Sequence, residues 1–186
     1  MEKLAPWIPT PVEVVVEALR LSWAGPGDVL YDLGCGDGRV VVIAARDFGV
    51  DEAVGVEVDP LLAEAARYHA RRAGVEGRVR ILEEDFRRVS LTPATIVYLY
   101  LYPSINEALR PKLEAELRPG ARVVTIDFPV PGWVPVRVRR VEDSRGITRT
   151  VRVYMVGLSD YRWRRPGSSV CGVPEAYTVL LRRDPP

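Results

Sequence analysis

Three glycines spaced two residues apart, Gly34, Gly36 and Gly38, sit in the run Tyr31-Asp32-Leu33-Gly34-Cys35-Gly36-Asp37-Gly38-Arg39. Asp28-Val29-Leu30 leads into this run and Val40-Val41-Val42-Ile43-Ala44-Ala45 follows it. The order reads as a buried strand, a glycine turn and a helix start. Glycine is the residue for a backbone that must turn sharply or let a ligand come close without a side chain in the way. Donors at the start of a helix favour an anionic or polar ligand group. The next strand candidate, Ala53-Val54-Gly55-Val56-Glu57, ends in a carboxylate. At the tip of a second parallel strand, Glu57 is placed to accept hydrogen bonds from both ribose hydroxyls of a nucleoside.

Two nucleoside cofactors compete for this pattern. The dinucleotide fingerprint is G-x-G-x-x-G, whereas these glycines give G-x-G-x-G. Asp32 ends the first strand, where a carboxylate can meet the amino group of a methionine moiety. Val79-Arg80-Ile81-Leu82-Glu83-Glu84-Asp85-Phe86 reads as a third strand closing on an acid-aromatic pair. Asp85 can bond an adenine amino group and Phe86 can lie against the ring. Asp32, the glycines, Glu57 and Asp85-Phe86 together suit S-adenosylmethionine better than NAD.

The chain has 186 residues, 47% of them apolar and 27% charged, with a formal net charge of +1. That is ordinary globular composition and one domain's worth of core. No apolar run approaches the ~18 residues of a membrane span and no charged-then-apolar leader is present. A cytoplasmic location is expected. Two cysteines, Cys35 and Cys171, fit neither a disulfide framework nor a metal site. The chain contains no Gln, one Asn (Asn106) and two lysines, Lys3 and Lys112. Depletion of thermolabile amides fits a thermophile. From Val134 onward eleven arginines face five acids. Such asymmetry suits a polyanion-facing surface, or alternating arginines on the wet face of a strand as in Val136-Arg137-Val138-Arg139.

Thr10-Pro11-Val12-Glu13 has the form of a capping box with proline at the first helical position. A stripe of Val12, Val15, Val16, Leu19 and Trp23 then predicts a helix, stopped by Gly25-Pro26-Gly27, that closes one side of the cofactor cleft. A second helix starts at Asp59-Pro60 and runs to Gly74, with Leu62, Ala66, His69 and Ala73 as its apolar face. His69, the only histidine, is read as a packed helix residue rather than a catalytic one. Ile96–Leu101 is the fourth strand. Ser104 and Glu107 suggest another capping box, but Pro111 divides this stretch into a turn over 104–109 and a helix over 111–117. Val123–Phe128 is the fifth strand, and a hairpin over 134–141 and 148–156 completes the pattern. Tyr177–Leu181 could add an edge strand. The whole predicts a three-layer, doubly wound α/β fold with a mostly parallel sheet and an antiparallel strand near its end.

These residues resemble the class I S-adenosylmethionine-dependent methyltransferases. More narrowly, they are similar to archaeal protein-lysine methyltransferases related to the eukaryotic ATP-synthase c-subunit lysine methyltransferase. The likeness rests on Pro6-Trp7-Ile8-Pro9-Thr10-Pro11, the glycine run, and Gly55-Val56-Glu57-Val58-Asp59-Pro60. It continues through Tyr98-Leu99-Tyr100, Asn106-Glu107, Leu109-Arg110-Pro111-Lys112-Leu113 and Asp127-Phe128-Pro129-Val130-Pro131-Gly132-Trp133. It implies a Rossmann-like sheet of seven strands and methyl transfer from S-adenosylmethionine to the lysines of protein substrates. It also implies that Gly34 and Gly36 meet the amino-acid end of the cofactor beside Asp32, that Glu57 takes the ribose, and that Val58 packs on adenine. Asp85 and Phe86 close the far side, and Trp7 and Thr10 line the methionine end. The methyltransferase domain is expected over 1–156, with a cap segment in 1–25 and an extension over 157–186 that the resemblance does not reach.

Methyl transfer to an amine needs orientation, desolvation and a deprotonated nucleophile. Tyr98, Tyr100 and Tyr102 recur at period two and would share one face of the fourth strand. Tyr98 and Tyr100 are the preferred pair to orient an amine or hold a methylammonium by cation–π contact. Asp127 could take an amine proton, pair with a lysine, or cap the turn that follows. No Cys-His, Ser-His or metal cluster competes. After the fourth strand stands Tyr-Leu-Tyr-Pro, not the Asn/Asp-Pro-Pro-aromatic run that resembles amino-methylating nucleic-acid enzymes. An RNA or small-molecule methyltransferase is the alternative and an NAD-dependent oxidoreductase the third reading.

Overall fold

The computed structural model describes residues 8–160. Trp7, Cys171 and the strand expected at Tyr177–Leu181 lie outside the described residues. Seven strands lie among the described residues: β1 (Val29–Leu33), β2 (Glu52–Glu57), β3 (Val79–Glu83), β4 (Ile96–Leu99), β5 (Arg122–Ile126), β6 (Arg137–Glu142) and β7 (Thr148–Met155). Four helices accompany them: α1 (Val12–Leu21), α2 (Arg39–Asp47), α3 (Pro60–Arg72) and α4 (Pro103–Glu116). The sheet order is β3-β2-β1-β4-β5-β7-β6. Pairing is parallel from β3 across to β5, and β7 enters antiparallel between β5 and β6. No helix among the described residues is long and apolar enough to cross a membrane.

The sequence explains the layering. β1 and β4 are short, almost continuously apolar and buried on both faces, as central parallel strands are. One core holds Val15 and Leu19 of α1, Val41 and Ala44 of α2, and Leu30, Ile96, Tyr98 and Val124 from the sheet. The other holds Leu109 and Leu113 of α4, Trp133, and Leu33, Val97 and Leu99. Edge strand β6 carries Arg137, Arg139 and Arg140, charges that discourage pairing with another chain.

One polar cluster ties together the amino ends of the central strands. The Arg122 guanidinium donates to Asp28 Oδ1, to the Ser22 carbonyl at 3.0 Å and to the Trp23 carbonyl at 3.2 Å. Thr95 Oγ1 donates to Asp28 Oδ1 at 2.7 Å and accepts from the Val29 amide at 2.9 Å. β1, β4 and β5 are thus fixed at one end, so the opposite, carboxyl end carries the loops free to form a site. Packing continues past Met155: Ser159 is buried, and its carbonyl accepts from Val134.

Several local expectations are corrected. Thr10 does not cap α1, because Pro11 occupies the cap position without a side-chain bond, and Glu13 instead accepts from the Ser144 amide. The buried face of α1 is Val14, Val15, Ala18, Leu19 and Leu21, with Val12 exposed. That face packs on β6, β7 and α2, so the helix covers the antiparallel end of the sheet and not the cleft. On α3 the buried face is Ala63, Ala66 and Ala70. His69 is exposed, its Nδ1 2.9 Å from the Asp37 carbonyl. Small alanines win that face because α3 lies close against the glycine loop. α4 is one helix through Pro111, not a turn and a helix. Pro111 and Glu107, whose carbonyl lost its partner, both face water, so solvent replaces the missing bond. Ser104 makes no cap, since the helix starts after Tyr102. β4 ends at Leu99, so Tyr102 leaves the strand face and packs near Phe128, ring centroids 6.0 Å apart.

Gly38 is the tightest of these joints. Its φ is +77°, and a Cβ there would lie 2.7 Å from Ala66 Cβ and 3.0 Å from Ala66 Cα. Backbone strain and overpacking then act together. Gly38→Ala is expected to cost about 2–4 kcal/mol in urea unfolding. An unchanged midpoint would mean that α3 does not pack on the loop as described.

Candidate active site

Chain order reverses between β1 and β4, and in open α/β sheets ligands bind beyond the carboxyl ends at such a point. A cleft opens there, about 880 Å³ including its mouth. Its walls are Ile8, Pro9 and Thr10; Asp32, Gly34, Cys35 and Asp37; Arg39 and Val40; Val56, Glu57, Val58 and Leu62; Asp85 and Phe86; and Tyr98, Tyr100, Leu101 and Ile105. Of the expected site residues, Thr10, Asp32, Gly34, Glu57, Val58, Asp85, Phe86, Tyr98 and Tyr100 meet in this one space. Gly36 lies behind it, and Asp127 stands beyond Tyr100.

Strand register sets the floor. Asp32 pairs laterally with Gly55 on β2 and with Tyr98 on β4. Gly55 lets Cys35 approach, since a Cβ there would meet Cys35 Sγ at 2.7 Å. The loop amides are engaged internally. Gly34 and Cys35 donate to the Val56 carbonyl at 2.8 and 3.0 Å, and Gly36 donates to Glu57 Oε2 at 2.9 Å. At Gly34, Cys35 and Gly36 the turn therefore offers shape rather than a nest of free donors. Glu57 also accepts from the Val58 and Asp59 amides at 2.9 and 3.0 Å, which holds its carboxylate at the β2 tip.

The electrostatics of the floor are one-signed. Asp32 is 4% exposed, and none of the described residues donates to its carboxylate. Burial, then the nearby Glu57 and Asp37 carboxylates, push it up to about 8. Cys35 and Tyr98 are pushed well above their usual values, burial first and Asp32 next, so thiol and phenol keep their protons. The Tyr98 hydroxyl is buried without a well-formed hydrogen bond, facing Thr10. A buried carboxylate without donors calls for a cation. A ligand with a sulfonium and an ammonium answers that demand, and a nucleoside's hydroxyls suit the held Glu57.

Two walls reveal residues that sequence reading missed. Arg39 Nε and Nη2 bind Asp37 at 2.9 and 2.6 Å, and Nη1 donates to the Thr10 carbonyl at 3.0 Å. Asp37, though partly buried, is held below the usual carboxylate range by that guanidinium. Arg39 thereby fastens segment 8–10 across the cleft. Its place at the start of α2 just after the glycines was the available signal. Leu62, Leu101 and Ile105 supply apolar lining and carry no recognisable motif. At the far wall Asp85 already accepts four hydrogen bonds from Arg87, one from its amide at 2.9 Å and three from the guanidinium, at 2.9 and 3.0 Å from Nε and shorter from Nη2. An adenine amino group would share that carboxylate.

At the mouth, Asp127 has φ +60° and does not line the cleft. Its Oδ1 accepts from the Thr150 amide at 2.9 Å, and its Oδ2 from Arg149 Nη1 at 2.9 Å and the Tyr100 hydroxyl at 3.3 Å. The capping role weighed for Asp127 is in effect a brace between β5 and β7.

Known proteins agree with this geometry. The profile of the ANTKMT methyltransferase domain matches residues 32–137. A protein-lysine N-methyltransferase of Saccharolobus islandicus is 43% identical over 152 residues, 82% of this chain and 94% of that protein. Mouse adenine nucleotide translocase lysine N-methyltransferase is 38% identical over 185 residues, 97% of this chain and 76% of that protein. The crystal structure of a Salinibacter ruber RNA methyltransferase with S-adenosyl-L-homocysteine superposes with a TM-score of 0.74 at 43% identity, over 80% of this chain and 94% of that one. With its seven-stranded class I sheet and a profile match spanning the glycine turn, Glu57, Asp85 and Tyr98, the chain belongs to the ANTKMT methyltransferase domain family.

Proposed function

We propose that this chain transfers methyl groups from S-adenosylmethionine to lysine side chains of proteins, acting on accessible lysines of more than one substrate. The observation that carries the cofactor is the Asp32 carboxylate, buried among acidic neighbours with no donor among the described residues. The lysine assignment is supported by two relatives named as lysine methyltransferases that cover most of the chain.

The cofactor supplies a methyl group activated by a sulfonium. Asp32 would hold its ammonium, Gly34 gives close approach to the amino-acid end, and Gly36 braces Glu57 from behind. Glu57 would accept from both ribose hydroxyls, and Val58 and Phe86 would sandwich adenine near Asp85. Thr10, with Trp7 ahead of it, would border the methionine end under the strap fastened by Arg39. The chain's remaining task is to present a lone pair on nitrogen in line with the transferred carbon. Tyr98 and Tyr100 stand on that side of the cleft with neutral phenols. An RNA substrate is the second reading, motivated by the Salinibacter relative's name and the arginines of β6.

Incubation with methyl-labelled S-adenosylmethionine and a heat-cleared lysate should place label in methyllysine, at a level Asp32→Ala lowers at least tenfold. Label confined to RNA would overturn the lysine assignment.

We further read the chain as a cytoplasmic protein of a thermophilic archaeon, supported by its missing glutamines and the archaeal relative. Thermal scans test this together with Asp32. The folded pKa of Asp32 lies above its unfolded value of 3.8. The folded state thus holds the proton more tightly, and stability falls as pH rises from about 4 to about 8. Ligand-free protein should lose several kcal/mol across that window relative to Asp32→Asn. Its midpoint near pH 5 should exceed the ~45–65 °C of mesophile domains. Parallel pH profiles for the two proteins would refute the burial of an unpaired Asp32, and a midpoint within the mesophile range would refute the thermophile reading.

A further inference from the structure

A free carboxylate at the cleft mouth would work against amine methylation. It would hold an incoming lysine as ammonium, and an ammonium has no lone pair to attack carbon. Asp127 bonds the cleft-lining Tyr100, and Arg149 occupies it, Nη1 to Oδ2 at 2.9 Å. The same Nη1 donates to the Tyr100 hydroxyl at 3.1 Å. That hydroxyl donates its own proton to Asp127 Oδ2 at 3.3 Å. A phenol oxygen that donates once and accepts once keeps one acceptor position. Tyr100 lines the cleft, whereas Asp127 and Arg149 do not, so this position is the part of the triad a substrate can reach.

We infer that Arg149 is a positioning residue for the methyl acceptor: it withdraws Asp127 from the amine, orients the Tyr100 hydroxyl toward it, and by its fixed charge favours the neutral amine. The inference deepens the lysine reading and rests on it. In the step, the neutral amine's lone pair forms the N–C bond as the C–S bond breaks. The bond pair returns to sulfur, which becomes a neutral thioether. The proton that the ammonium must lose beforehand goes to solvent.

The construction around the triad supports a built device. Arg149 is 18% exposed at its side chain, and its Nε lies at ion-pair distance, 3.7 Å, from Asp143 Oδ2. Asp143 is in turn held by the Ile147 amide and by Arg145. Arg152 donates to the Asp127 carbonyl at 2.7 Å and helps fix the φ of +60° there. The charged and titratable groups facing Tyr100 are therefore Asp127, Arg149, Arg145 and Tyr98, with Asp143 behind Arg149 and Asp32 across the cleft. Removing Arg149 takes one positive charge from this set and leaves Asp127 Oδ2 with the Tyr100 hydroxyl alone.

The test is the pH dependence of kcat with a lysine-rich unstructured polypeptide as acceptor and saturating S-adenosylmethionine. In Arg149→Met the rising limb should move up by about one pH unit, with kcat at pH 7.5 down roughly tenfold. Arg149→Lys keeps the charge and should keep the limb near its wild-type position at a lower plateau. Calorimetric affinity for S-adenosylmethionine should stay within about threefold in both variants, because Arg149 does not line the cleft; loss of that affinity would contradict the assignment. A lower plateau in Arg149→Met with an unmoved limb would make Arg149 a structural brace alone and overturn the inference. Wild-type protein that methylates no lysine amine would overturn the lysine reading and the inference together.

Discussion

A carboxylate buried at the end of β1, with no donor among the described residues, is the constraint around which this site is arranged. Asp32 is 4% exposed and shares its surroundings with Glu57 and Asp37. Folding brings these acids together at a cost that hydrogen-bond donors, a cation or a retained proton must relieve. The other two are relieved locally, Glu57 by three backbone amides and Asp37 by Arg39. Asp32 alone is left to the ligand. A cation-bearing cofactor follows from that asymmetry more directly than from the glycine turn, whose Gly34, Cys35 and Gly36 amides are bound to β2.

The fold distributes rigidity accordingly. Arg122, Asp28 and Thr95 fix the amino ends of β1, β4 and β5, so the strand tips that carry Asp32 and Tyr98 are held from below. At the carboxyl end, contacts are instead made by long side chains reaching across elements. Arg39 holds the strap at Thr10, and Arg149 holds Tyr100 and Asp127. Both arginines act through other groups and carry the charge that neighbouring acids lack.

The sheet and the floor of the cleft were legible because each depends on local order. Alternating strands and helices predict the parallel sheet, and a strand ending in an acid predicts the placement of Asp32, Glu57 and Asp85. Helix faces were less legible: α3 buries alanines because Gly38 admits close packing, and periodicity alone chose Leu62 and His69 instead. Pro111 broke the predicted helix, yet its lost hydrogen bond faces water and α4 runs on. Thr10 matched a capping pattern while the folded chain turns it into the cleft. The reach of Arg39 to Thr10 and of Arg149 to Tyr100 could not be found by pattern, since these contacts span 29 and 49 residues of sequence. Asp127 was placed correctly at the end of β5, but its role depends on β7, which the chain supplies later.

The most direct measurement is the number of protons released when S-adenosylmethionine binds, from calorimetry at pH 6.5 in buffers of different ionisation enthalpy. With Asp32 protonated in the ligand-free protein and ionised against the bound ammonium, release should approach one proton per site and vanish in Asp32→Asn. Binding with no proton release in the wild-type protein would mean that Asp32 is already charged, and the account of the site built on its burial would be contradicted.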